Sequence, residues 1–98
     1  MQILFMQFYY TYVLYSLKDS KFYIGFTTDV LRRLDEHNAG KNVSTKTRRP
    51  LKLIYYEAHL SKEDALRRES YFKTTKGKVT LRQMIKNILE KYGWKINK

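Results

Sequence analysis

Tyr9-Tyr10-Thr11-Tyr12-Val13-Leu14-Tyr15-Ser16-Leu17 runs into Lys18-Asp19-Ser20-Lys21 and then into Phe22-Tyr23-Ile24-Gly25-Phe26. Two runs rich in β-branched and aromatic residues, joined by a short polar turn, read as a β-hairpin. Side chains alternate with period two along each strand. With an even-length turn, positions whose numbers sum to an odd value lie opposite each other on one face. Tyr12 and Tyr23 meet that condition, so their phenols are expected on the same face. Gly25 falls there too, where a missing side chain leaves space for a backbone or a ligand.

Outward from the hairpin, Thr28 and Asp29 are good caps for a helix to about Ala39, with Gly40 as its stop. Val30, Leu31 and Leu34 form its apolar stripe, and Arg33 and His37, four residues apart, are neighbours along one edge. Residues 41–49 read as a polar, basic loop. Pro50 opens a third strand, Leu51 to Glu57, whose alternation is softened by Ile54 and Tyr56, which predicts partial cover on both faces of the sheet. Ser61 and Asp64 start a second helix through about Lys73, with Ala65, Leu66, Glu69 and Phe72 on one stripe. Thr80 with Gln83 reads as the capping box of a third helix, along which Leu81, Met84, Ile85, Ile88, Leu89 and Tyr92 recur until Gly93. The expectation is one α/β (α+β) domain over residues 1–98, with its core at about 8–92. Its three-stranded, mainly antiparallel sheet is flanked by three helices.

The chain carries 20 basic and 9 acidic residues, a formal charge of +11. No acid occurs from His37 to Tyr56 or from Ser70 to Leu89. A folded domain with that imbalance attracts polyanions, of which nucleic acid is the commonest; a solvated basic surface is the plainer alternative. Cysteine is absent, which excludes a disulfide-linked partner, a thiolate zinc site and a thiol nucleophile. The two histidines are too few and too far apart for a histidine metal cage. Residues 1–17 are uncharged and apolar, but they lack the basic start and small-residue cleavage site of a secretory signal. Lys18 and Asp19 end the run short of the roughly 20 residues of a spanning helix. A cytoplasmic location with no membrane partner is expected.

Glu69 is the sharpest chemical clue, since an ionised carboxylate on a core-facing stripe is costly unless a cation or strong donors satisfy it. An ion pair with Arg33 or Arg67 and a metal site both meet that need. Arg33 is either a solvated helix residue or, beside His37, a guanidinium able to stabilise an oxyanion. Tyr9, Tyr10, Tyr15, Tyr55 and Tyr56 read as packing. Ser44-Thr45-Lys46 and Arg48-Arg49 offer hydroxyl and cationic contacts to phosphate oxygens.

The ordered set Tyr12, Tyr23-Ile24-Gly25, Arg33, His37 and Glu69, with Glu36-His37-Asn38-Ala39-Gly40 and Ser44 to Pro50, resembles the GIY-YIG endonuclease domain. The likeness is to its small single-domain, excision-repair nuclease-like branch, over roughly Phe8 to Lys76. The second half of the signature is literal. The first is altered, with Tyr10-Thr11 standing before Tyr12 where the family has Gly-Ile. The resemblance implies a metal-dependent endonuclease cutting phosphodiester bonds, with DNA the expected polymer. It gives catalytic roles to Tyr12, Tyr23, Arg33, His37 and Glu69, with Tyr12 accepting the nucleophile's proton. Glu69 becomes the ligand of a divalent cation, Mg²⁺ or in its place Mn²⁺. Arg32, Lys46, Arg48, Arg49, Lys73 and Lys76 are then the expected nucleic-acid contacts. The rival expectation is a catalytically inactive nucleic-acid-binding module on the same scaffold. A third is an interaction protein docking through its Leu81–Tyr92 helix.

Overall fold

In the computed structural model, which describes residues 6–94, the hairpin is formed by β1 (Tyr9–Ser16) and β2 (Phe22–Thr27). The remaining elements are α1 (Val30–Asn38), a 3₁₀ turn (Lys46–Arg48), β3 (Leu51–His59), α2 (Lys62–Phe72), α3 (Thr75–Met84) and α4 (Lys86–Lys91). The expected domain runs beyond this span, and its residues 1–5 and 95–98 lie outside the described residues. No helix among the described residues is long and apolar enough to cross a membrane.

The sheet has the order β2-β1-β3, and both pairings are antiparallel. Tyr12 pairs with Gly25 and Leu14 with Tyr23, the odd-sum register that the even turn dictates. The turn is held from a distance. Arg48 donates from Nε to Asp19 Oδ2 at 2.6 Å and from its guanidinium to the Lys21 and Phe22 carbonyls, while the Ser16 hydroxyl donates back to the Arg48 carbonyl at 2.6 Å.

Even-numbered β1 residues project to one face, where Tyr12, Leu14 and Leu51 pack with Tyr23, Leu34 and Leu53 beneath α1. Odd-numbered residues project to the other, where Val13, Tyr15 and Ile24 meet Phe72, Leu81, Ile85 and Leu89 of the C-terminal helices. The third strand serves both faces through a bulge. Leu14 pairs with Leu53 but Val13 pairs with Tyr55, so Ile54 is the extra residue and the side-chain alternation shifts around it. Leu51 and Leu53 therefore line the α1 face. Tyr55 packs edge-on against Phe72, at 6.2 Å between ring centres, on the opposite one. That bulge is the physical origin of the softened pattern in the sequence.

The helices start where short polar side chains can accept a free amide. Asp29 accepts from the Arg32 amide at 3.0 Å and Ser61 from that of Asp64 at 3.4 Å. The third cap differs from the sequence expectation. Thr74, accepting from the Gly77 amide at 2.9 Å, starts α3, and the helix breaks at Ile85 before α4. Thr80 lies inside α3, its hydroxyl 2.9 Å from that of Tyr71. The expected third helix is thus two, giving four α-helices. A Cβ on Gly77 would overlap the Tyr71 carbonyl, so the α2–α3 corner closes only over glycine. Leu66 also departs from its stripe, being exposed. Arg68 takes the inner position instead, its guanidinium 4.4 Å from the Phe72 ring centre and forked onto Glu57 at 2.8 and 2.6 Å.

Candidate active site

On the α1 face, Tyr12 lies with its ring across Gly25. A Cβ at residue 25 would overlap the phenol, so the glycine is what allows Tyr12 to lie there. Its oxygen is 2.9 Å from His37 Nε2, and His37 Nδ1 is 2.7 Å from Thr45 Oγ1. All three residues are buried. Tyr23 closes the group, its ring centre 4.9 Å from that of His37 and 6.4 Å from that of Tyr12.

Helix and loop geometry fix the imidazole on both sides. The Asn38 side chain makes two 2.9 Å bonds to the Leu51 backbone, tying the end of α1 to the start of β3. The Thr45 hydroxyl has the Asn42 carbonyl at 3.5 Å as an acceptor for its own proton, which leaves its oxygen able to accept from Nδ1. The phenol has one hydrogen-bond acceptor among the described residues, His37 Nε2. Both facts fit one tautomer, in which Tyr12 donates to Nε2 and Nδ1–H donates to Thr45.

The electrostatics agree. Burial pushes the Tyr12 phenol up to about 12; the neighbouring Arg33 guanidinium pulls against that, while the Tyr23 phenol and the Glu69 carboxylate add to it. Burial, with the charge of Arg33, pushes His37 down to about 4. Near neutrality the pair is a neutral phenol on a neutral imidazole.

Arg33 stands at the edge of this group, with its guanidinium 3.0 Å from Glu36 Oε1. Glu69 comes from the opposite side of the sheet on α2. Thr11, next to Tyr12 in the chain, anchors that helix by donating to the Ala65 carbonyl at 2.6 Å, one turn before Glu69. Neither Arg33 nor Arg67 pairs with Glu69. Its partner is Lys73, at 3.0 Å across one turn, and Arg67 instead pairs with Asp64. The carboxylate is mostly covered while the Lys73 side chain is largely exposed, so the ammonium is free to swing aside. A single hard oxygen donor is enough protein provision for Mg²⁺, which keeps several waters of its own. No cluster of three or more histidine, cysteine or carboxylate side chains occurs among the described residues.

The expected nucleic-acid contacts divide. Arg48 is spent on the hairpin turn. Arg49 donates to the Lys46 carbonyl at 2.8 Å and lies against Gly40, capping the loop after α1. Arg32 pairs with Glu36 at 2.7 Å, and Lys73 with Glu69. Lys46 and Lys76 are exposed and have no ion pair among the described residues. Lys46 lines a cleft of about 710 Å³ with Lys18, Arg49 and Lys52, without a carboxylate in its walls. This cleft reaches Leu51, opposite Ser16, about 13 Å along β1 from Tyr12.

Two residues gain a place that the sequence reading did not give them. Thr45 is buried against His37 rather than offered to a phosphate. Tyr56 pairs with Tyr12 across the sheet and is 53% exposed on the α1 face rather than packed in a core. The bulge at Ile54 is the signal that separates Tyr56 from Tyr55.

Comparison with known proteins gives the family. The family model of the GIY-YIG catalytic domain matches residues 8–83. UPF0213 protein SAG0778 of Streptococcus agalactiae is 47% identical over 81 residues, covering 80% of this chain and 91% of its own length. A UPF0213 protein of Limosilactobacillus reuteri is 52% identical over 68 residues, covering 66% of this chain and 70% of that one. The solution structure of UPF0213 protein BH0048 from Bacillus halodurans is 38% identical, superposes with a TM-score of 0.50, and covers 79% of this chain and 84% of its own. With its matched span running through both strands of the Tyr12 hairpin, α1 and α2, this chain belongs to the GIY-YIG family.

Proposed function

We propose that the protein is a metal-dependent endonuclease of the cytoplasm that hydrolyses phosphodiester bonds, with DNA as its polymer. The observation that carries this reading is the buried chain Tyr12–His37–Thr45, set beside Arg33 with the Tyr12 ring lying across Gly25. A phenol held near pKa 12 is almost never ionised at neutral pH, so it does not serve as a base by itself. Its hydrogen bond to the His37 imidazole gives the phenol's own proton an acceptor. As a water attacks phosphorus, its proton passes to the Tyr12 oxygen while the phenol's own proton moves to His37 Nε2; the opposite P–O bond breaks, and the leaving sugar oxygen takes a proton from solvent. The resulting imidazolium is steadied through Nδ1–H by Thr45. Arg33 faces the charge that accumulates on the pentacovalent phosphorus. Tyr23 orients water or phosphate from the same face. Glu69 holds the divalent cation, which supplies Lewis-acid charge to the phosphate oxygens when bound. Lys46, Lys18 and Lys52 guide the backbone in the basic cleft.

A second reading, an idle nucleic-acid-binding module, is favoured by one contact: the Lys73 ammonium occupies the Glu69 carboxylate, where a cation would sit. Incubation with branched, nicked, single-stranded and double-stranded DNA, in Mg²⁺, in Mn²⁺ and in chelator, separates the two. Product that depends on added cation supports the nuclease. Binding without product under every condition supports the module.

A further inference from the structure

The Tyr12 phenol has two cross-strand neighbours, Gly25 on β2 and Tyr56 on β3. The first makes room for the phenol itself. The second, with Tyr10 two residues along β1, builds an aromatic wall beside it. The Tyr10 and Tyr56 rings meet edge to face, 5.9 Å apart at 65°. Between this wall and the first turn of α1 lies a cavity of about 380 Å³, floored by Leu53, Val30 and Leu31. Neither phenol oxygen has a hydrogen-bond partner among the described residues, and Leu31 is 70% exposed. The carboxylate at the rim, Asp29, is already engaged by the Arg32 amide and guanidinium.

We propose that Tyr10 and Tyr56 form a stacking subsite for one unpaired nucleobase, next to the phosphodiester held at Tyr12. This rests on the nucleic-acid reading of the Tyr12 face and deepens it. The subsite lies about 7 Å along β1 from Tyr12, on the side away from the basic cleft. Backbone charge is therefore met at one end of the sheet face and a base at the other. Aromatic faces stack any base, whereas a base inside a duplex is already stacked and paired and does not enter a cavity. The cavity falls within the size range of small-molecule sites. The chain's charge of +11 favours a polyanion over an apolar peptide as its occupant. The altered first half of the family signature acquires a purpose, since Tyr10 at the glycine position supplies one of the two rings. Substrates with an unpaired base beside the cut are preferred over continuous duplex.

The test is equilibrium binding by the full chain in chelator, where no cutting intervenes. It compares a short single-stranded oligodeoxynucleotide with the same strand in a blunt duplex, for wild type and for Tyr56→Leu and Tyr10→Leu. Each variant is checked for an unchanged melting temperature. A fluorescent adenine analogue placed in turn along the single strand reports stacking. The proposal expects quenching at one position, lost in Tyr56→Leu, with single-strand affinity reduced about 5- to 150-fold and duplex affinity unchanged. Unchanged single-strand affinity in folded Tyr56→Leu, or equal loss on both substrates, overturns the subsite and leaves the patch to a protein partner. Wild type binding neither substrate overturns the nucleic-acid reading itself, and the subsite with it.

Discussion

Tyr12 Oη and His37 Nε2 are 2.9 Å apart with both side chains buried, a hydrogen bond shut away from solvent. Burial raises the phenol to about 12 and lowers the imidazole to about 4, so no ionised form of either is populated near neutrality. A relay through this pair has a distinctive pH dependence. Cleavage should be lost as pH falls through about 4, where His37 takes a proton and ceases to accept. It should be level from about pH 6 to 9. A rate that climbs tenfold per unit through pH 9 would instead indicate a free phenolate as the base. Tyr12→Phe should lower the single-turnover rate about 10²- to 10⁴-fold while the domain stays folded.

Thr45 supplies the second half of that pair. Thr45→Val keeps shape but removes the acceptor for Nδ1–H, so His37 loses its fixed tautomer. The ¹⁵N shifts of the imidazole, read by NMR, should move from the Nδ1–H pattern toward a mixture, and Thr45→Ser should restore it. An unchanged pattern in Thr45→Val would show that the loop does not set the tautomer.

Gly25 is required by packing rather than by flexibility. In Gly25→Ala the new methyl meets the Tyr12 phenol and forces the ring aside. Overpacking of this kind costs about 1–3 kcal/mol. The account expects a matching fall in melting temperature, with cleavage falling further than in Thr45→Val because the phenol itself is displaced. Wild-type cleavage in Gly25→Ala would mean that the ring has another productive position.

Two basic residues two positions apart should behave differently. Arg48 closes the hairpin turn, so Arg48→Ala should lower the melting temperature, with its charge-assisted bonds contributing about 2 kcal/mol. Lys46 lines the open cleft, so Lys46→Ala should leave melting unchanged and reduce the slope of log affinity against log salt by about 0.7–0.9. Melting scans and salt titrations of both variants check this, and equal melting losses would remove the distinction.

Acid sensitivity should centre on Glu57. The forked Arg68 guanidinium holds its carboxyl down at about 2, against an ordinary 4.5. A depressed folded-state value contributes stability that is present above about pH 4.5 and lost as pH falls toward 2. His37 adds to this. Its folded-state value lies below the ordinary 6.5, so the unfolded chain takes that proton first, and stability starts to fall below that pH. Glu57→Gln should melt lower at pH 7 and lose less between pH 4.5 and 2. An identical acid profile in wild type and Glu57→Gln would contradict this.

The sheet face that carries the site could be read from the sequence because two rules of local geometry suffice: an even turn fixes the Tyr12–Tyr23 parity, and Asp29 and Gly40 mark the limits of α1. What escaped is long-range. A bulge at Ile54 depends on what both faces of β3 pack against, so Tyr55 and Tyr56 looked alike. Thr45 reads as a loop hydroxyl until α1 is placed against it. Arg48 and Arg49 read as surface charge because their partners, the hairpin turn and the end of α1, are distant in the chain or are backbone carbonyls. Two capping signals competed for the last helices, and Thr74 prevailed because only there does Gly77 let α3 cross the end of α2.

The claim that this face hydrolyses phosphodiesters with the help of a cation on Glu69 is tested most directly by single-turnover cleavage with Glu69→Gln in saturating Mg²⁺. The comparison is with wild type at matched melting temperature and matched nucleic-acid affinity. Glu69 pairs only with a largely exposed lysine, so the exchange should leave the fold intact, as surface pairs contribute about 0–1 kcal/mol. The expected result is a folded protein that still binds nucleic acid and yields no product. Cleavage by Glu69→Gln at the wild-type rate would contradict it.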